Sequence, residues 1–133
     1  MIETPSPAGI EQARALAERW LPAFLQGRRA EEDVYADGVS TWHNIGERET
    51  EIQRTPSRTR QVQGGADLRV EDVRLRVFDG GWVVQATTTG TGPAGGPVRV
   101  PSCVVVTLRE GRIARFEEYA DSRAAEALFP PEA

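Results

Sequence analysis

The stretch VRVPSCVVVTLREGRIARFEEYA, residues 98–120, reads as two strands joined by the tight turn Glu110-Gly111. Each arm alternates in polarity with the period of two that a pleated strand imposes. On the first arm Val98, Val100, Val104, Val106 and Leu108 share a face that one polar residue, Ser102, interrupts. On the second, Ala114, Phe116, Glu118 and Ala120 share a face, and Ile113, Arg115, Glu117 and Tyr119 share the other. Glu118 is therefore a carboxylate among small and apolar neighbours. Lost hydration there disfavours its charged form and raises its pKa toward the range of proton transfer. An equally good reading bonds it to a buried backbone group or an arginine, with no chemistry. Ser102 is most simply a small core residue. Even so, two antiparallel strands that each aim one polar group into an apolar hollow are what a small-molecule pocket needs.

The preceding chain extends the sheet. Trp82 to Thr91 is a strand, joined to the next by the glycine-rich turn Gly92-Pro93-Ala94-Gly95-Gly96. That turn lacks the glycine–lysine pair and the following helix of a phosphate loop. Before it, Asp79-Gly80-Gly81 is a hairpin turn and Asp67 to Phe78 a strand of changing parity. Leu68 and Val70 lie on even positions, Val73, Leu75 and Val77 on odd ones, so one extra residue near Glu71-Asp72 predicts a β-bulge. After the last strand, Ser122 to Leu128 is a helical turn, and Asp121 is its N-cap rather than a catalytic group.

The N-terminal third is helical. Ser6 and Pro7 suit a helix start, and Ile10, Ala13, Leu16, Ala17, Trp20, Leu21 and Phe24 recur at helical spacing up to a stop at Gly27. Pro22 predicts a kink or a separate last turn. A short second helix is expected over residues 30–35, then the turn Ala36-Asp37-Gly38 and a strand from Val39 to Asn44. In that strand Ser40, Trp42 and Asn44 share one face, Val39, Thr41 and His43 the other. Trp42 offers a wall and one donor, Asn44 a donor and an acceptor, although asparagine at a strand end is more often a turn-former. With Trp42 inward, His43 faces away and is structural. Residues 46–66 are polar and read as a weak helix or a loop, their arginines as a solvated surface.

Helices first and hairpin-linked strands after make an α+β fold, a strongly curved antiparallel sheet wrapped around the N-terminal helices. The 133 residues suffice for one domain, spanning 1–133, with one core. Hydrophobic residues are 39% and charged residues 27%, a soluble globular balance. All sixteen basic residues are arginine and the net charge is −4. Without lysine there is no Schiff-base nucleophile, and an acidic chain lacks the field that nucleic-acid binders use. A single cysteine, Cys103, forbids an internal disulfide, and a cytoplasmic location is the expectation. One histidine and one cysteine are too few for a structural zinc site, and no metal or cofactor is expected. Residues 1–10 show neither a signal peptide nor a membrane span.

Tyr35-Ala36-Asp37 followed by Trp42-His43-Asn44, and the ending Gly111-Arg112-Ile113-Ala114-Arg115-Phe116-Glu117-Glu118-Tyr119, resemble the nuclear transport factor 2-like superfamily. The resemblance is to its SnoaL-like and limonene-epoxide-hydrolase-like branch. It implies a cone of three helices packed into a curved sheet, a deep pocket at the open end, and dimers through the sheet. It also implies an acid or base at Glu118, two residues beyond Phe116, and water-holding positions at Trp42 and Asn44. The charged pair that epoxide hydrolases carry on a middle strand would fall near Thr87 and Thr89 and is absent. On that strand hydrophobicity favours Trp82, Val84 and Ala86 inward, whereas the resemblance favours Gln85, Thr87 and Thr89, and the resemblance is followed here.

The expected function is a cofactor-independent acid/base enzyme of SnoaL-like type: an isomerase, cyclase or dehydratase for an apolar polyketide- or terpenoid-like molecule. Glu118 would move the proton, and Asn44, Trp42 and Gln85 would steady a developing oxyanion. Thr87, Ser102, Val104, Phe116, Trp20 and Phe24 complete the expected binding wall. The alternatives are a binding or accessory protein that keeps the pocket without the chemistry, and, last, epoxide opening. Cys103, Val105, Thr107 and Tyr119 on the outer sheet face predict a homodimer.

Overall fold

The computed structural model describes residues 6–51 and 67–129, with the side chains of Thr50 and Glu51 excepted. Within the stretch 46–66, expected to be a weak helix or a loop, Arg48–Glu51 is instead a strand, and the arginines at 54, 58 and 60 lie outside the described residues. Helix α1 spans Pro7–Gln26. Ser6 Oγ accepts from the Gly9 N–H at 3.3 Å, Pro7 occupies the first turn, and Gly27 ends the helix at φ 69°, a left-handed cap. The hairpin after the third strand reinforces this start, for Asp79 Oδ2 accepts from the Ser6 N–H at 2.8 Å. A Cβ on Gly9 would meet the Asp79 carboxylate, so the close approach needs glycine there. Contrary to expectation, the helix is uninterrupted at Pro22. That residue is exposed, so the Glu18 carbonyl it leaves without an N–H partner can face water.

The expected second helix shrinks to one tight turn, Glu32–Val34, and the chain is extended from Tyr35. Six residues cannot offset the cost of nucleating a helix. The remaining elements are strands β1 (Tyr35–His43), β2 (Arg48–Glu51), β3 (Asp67–Phe78), β4 (Gly81–Thr91), β5 (Pro97–Arg109) and β6 (Arg112–Ala120). A short helical turn, Ala124–Leu128, follows, with Asp121 Oδ1 accepting from the N–H groups of Arg123 and Ala124 at 3.0 Å, as a capping aspartate does.

The strands form one curved, unclosed sheet in the order β2-β1-β6-β5-β4-β3. The fold is α+β, but the sheet is mixed rather than wholly antiparallel, because β1 runs parallel to β6. Hairpin turns reveal which consecutive strands pair; nothing local reveals the neighbour of β1. The predicted bulge is present, with the register shifting between Glu71 and Arg74 and Asp72 at φ 53°. A second bulge was not foreseen. Thr107 faces Arg115 while Leu108 faces Ile113, so Ala114 is an extra residue in β6. It turns Ile113 inward, fully buried, where simple alternation had placed it outside. Such bulges bend their strands and increase the local twist.

The inner face of the sheet closes over α1. Trp20 packs at ring-centroid distances of 4.7 Å from Phe24, 5.5 Å from Trp82 and 5.7 Å from Phe116. Trp82, Val84, Val104, Val106 and Ile113 complete this core. A second, smaller cluster gathers Val98, Val100 and Ala125 with Ile45, Leu68, Ala120 and Leu128. The end turn holds it together.

Candidate functional site

Pairing across three strands decides which side chains share a wall. Arg48 on β2 lies opposite His43 on β1, and His43 lies beside Glu118 on β6. Glu118 in turn faces Val104, on the inner side of β5. The row Arg48–His43–Glu118 therefore belongs to the inner face, and all three side chains line a cavity of about 620 Å³. His43 Nδ1 and Glu118 Oε1 stand 3.4 Å apart. The Glu118 side chain is 37% exposed, so it borders the hollow rather than being sealed in the core.

The neighbouring row, Glu49–Trp42–Glu117, faces the other way. Trp42 stands on the outer surface with its ring 5.2 Å from that of Tyr119. This corrects the inward placing of Trp42 and the outward placing of His43. Both faces of β1 carry polar and apolar residues, so its orientation is set by the parallel register with β6.

Asn44 lines the cavity, but its amide is committed to the backbone. Its Nδ2 donates to the Ala120 carbonyl at 3.0 Å, and its Oδ1 accepts from the Ala120 N–H at 3.0 Å. Its own N–H donates to the Glu118 carbonyl at 3.1 Å. Asn44 has helical backbone angles, so strand alternation no longer governs its side chain. It clamps β1 to β6 beside His43 and Glu118, which is a positioning task.

Gln85 and Thr87 are corrected as well. Gln85 pairs with Cys103 and Thr87 with Pro101, whereas Ala86 pairs with Ser102 and Thr88 with Val100, so hydrophobicity identified the inner face of β4 correctly. Ala86 and Thr88 are the β4 residues that line the cavity. Ser102 lines it too, its hydroxyl donating to the Ala86 carbonyl at 3.4 Å, as does Phe24. Trp20, Val104 and Phe116 belong instead to the packed core behind it. Leu68, Val70, Val100 and Leu128 supply apolar wall.

The outer face is locked by Arg115. Its guanidinium donates to Glu49 and, at 3.1 Å, to the Ser40 hydroxyl, and lies 3.8 Å from Glu117. The hydrogen bond to Glu49 holds the Arg115 pKa above its ordinary value. Among the described residues no three His, Cys, Asp or Glu side chains gather closely enough to hold a metal, and no helix is long and apolar enough to cross a membrane.

The wall can therefore accept a proton at Glu118, hold that carboxylate through His43, and donate from the hydroxyl of Thr88. No family model matches the chain, and no curated protein matches it in sequence. Solved structures do. A candidate SnoaL-like polyketide cyclase from Jannaschia is 19% identical at a TM-score of 0.64, over 98% of this chain and 100% of that one. A candidate polyketide cyclase from Xanthomonas campestris is 14% identical at 0.68, over 91% and 99%. A nuclear transport factor 2-like protein from Burkholderia xenovorans is 13% identical at 0.65, over 90% and 98%. Among the described residues, one α-helix against a six-stranded, bulged and unclosed sheet thus makes an α+β cone similar in fold to these nuclear transport factor 2-like and SnoaL-like structures.

Proposed function

We propose that the chain is a cofactor-independent acid/base enzyme acting on an apolar, enolisable small molecule of polyketide or terpenoid type. The observation that carries this reading is the His43–Glu118 pair, 3.4 Å apart on the wall of a hollow that also offers apolar surface from Leu68, Val70, Val100 and Leu128. A carbon-bound proton next to a carbonyl passes to the Glu118 carboxylate, and the electron pair of the broken C–H bond moves onto the carbonyl oxygen. The Thr88 hydroxyl donates to that oxyanion, in place of Trp42 and Gln85, which face outward. Return of the proton at another atom is isomerisation. Attack of the enolate on a second carbonyl is cyclisation, and loss of a hydroxyl is dehydration. Likeness to candidate cyclases and to a candidate isomerase from Bacillus subtilis supports this class of chemistry.

The test is hydrogen–deuterium exchange, followed by NMR, at the α-carbons of a panel of bicyclic and terpenoid ketones in heavy water. The wild-type protein accelerates exchange for at least one of them and Glu118→Gln does not. Equal rates in the two proteins overturn the acid/base reading. A second copy of the chain is the partner we propose for the outer face, where Tyr119 is 48% exposed beside Trp42, Cys103 and Val105. A concentration-independent monomer in sedimentation would refute it.

A further inference from the structure

The order of the sheet places β2 and β3 at its two opposite edges. Curvature nevertheless brings both edges to the same cavity, and each contributes an exposed arginine to its lining, Arg48 from β2 and Arg69 from β3. Among the described residues, the only other ionisable side chains in the lining are His43 and Glu118. The lining thus carries two guanidiniums and one carboxylate among the described residues, in a chain whose net charge is −4. Arg69 is partly engaged, its Nε lying 3.5 Å from Glu71 Oε1. The described residues offer Arg48 no ion pair.

We infer that the occupant of the cavity is an amphiphile: an apolar body, with an anionic head group such as a carboxylate held at the rim between Arg48 and Arg69. Guanidinium is suited to that task, for its fixed fork of donors matches the oxygens of a carboxylate or sulfonate. The division of labour follows from position. Exposed arginines at the edges take the charge, the apolar wall takes the body, and the body's enolisable carbon is left beside Glu118. The inference deepens the functional reading above and rests on the cavity being a ligand site.

Two fluorescent probes of nearly the same shape test it: phenylnaphthylamine, which is neutral, and anilinonaphthalene sulfonate, which adds an anionic group. Each is titrated into wild-type protein, Arg48→Gln, Arg69→Gln and Arg76→Gln, the last a residue on the exposed side of β3 away from the cavity. The wild-type protein binds the sulfonate more tightly. Arg48→Gln and Arg69→Gln each weaken the sulfonate by about fivefold, the scale of an exposed charge pair, and leave the neutral probe within about twofold. Arg76→Gln changes neither. Neutral-probe binding without any preference for the sulfonate, or equal losses for both probes in the arginine variants, overturns the head-group inference and leaves the apolar cavity standing. Failure of both probes to bind overturns the cavity as a ligand site and this inference with it.

Discussion

Glu117 and Glu118 are neighbours in the chain and opposites in circumstance. Glu117 lies on the outer face within 3.8 Å of Arg115, a guanidinium that also engages Glu49 and Ser40. Glu118 lies on the inner face, where its partner is an imidazole and the space in front of it is a hollow. The same side chain thus serves two ends. Beside Arg115 the Glu117 carboxylate belongs to a cluster that ties β1, β2 and β6 together on the outer face. Beside His43 the Glu118 carboxylate borders the open hollow, partly exposed and 3.4 Å from Nδ1. What separates the two glutamates is the company they keep.

The largest expected difference between them is in rate. Glu118→Gln lowers α-carbon exchange by between about a hundredfold and ten-thousandfold, the range of a lost general base, while Glu117→Gln leaves it within about twofold. Comparable losses in both variants would erase the distinction. His43→Gln sharpens it: as a positioning residue, His43 is expected to cost about tenfold in rate and to alter the shape of the pH–rate profile.

The next difference is in stability. Ile113 is fully buried and Tyr119, six residues on, is 48% exposed. Ile113→Ala costs about 2–5 kcal/mol in denaturant unfolding, and Tyr119→Ala about 1 kcal/mol or less. Reversed magnitudes would mean that the faces of β6 had been assigned backwards. Asn44→Ala, which strands two backbone groups of Ala120, lowers stability by about 1–2 kcal/mol. A rate loss in Asn44→Ala restored by Asn44→Asp at neither pH extreme would show that the amide's double contact, not its charge or bulk, seats the acid.

The smallest effect is a control for the surface. The Arg19 guanidinium, hydrogen-bonded to Asp33 at 2.9 Å, holds that carboxyl below its ordinary value. A depressed acid contributes stability above its unfolded pKa and loses it as pH falls through the folded one. Asp33→Asn should therefore narrow the stability gap to wild type only in the acid range, and a difference confined to alkaline pH would contradict the pairing.

Much of this was legible in the chain, for local reasons. Turns with glycine at positive φ, a parity flip at Glu71-Asp72 and the caps Ser6, Gly27 and Asp121 all carry their signals within a few residues. The orientation of β1 was not legible, because its neighbour β6 lies some seventy residues away and pairs in parallel. His43 was set aside for the same reason, although its place at the inner row was half implied once Glu118 was placed inward. The Ala114 bulge escaped because Ile113 and Ala114 are both apolar, so hydrophobicity could not say which of them turns in. On β4 the residues themselves pointed the right way, and the likeness to other proteins drew Gln85 and Thr87 to the wrong side.

That extra alanine has a consequence for how such a chain tolerates change. With Ile113 anchored in the core, strict alternation would turn Arg115, Glu117 and Tyr119 inward; the additional residue is what sends Phe116 into the core and Glu118 to the hollow instead. Deletion of a single codon at Ala114 would therefore exchange interior for exterior along the rest of the strand, presenting Glu117 in place of Glu118 to the cavity while leaving the composition of the strand nearly untouched.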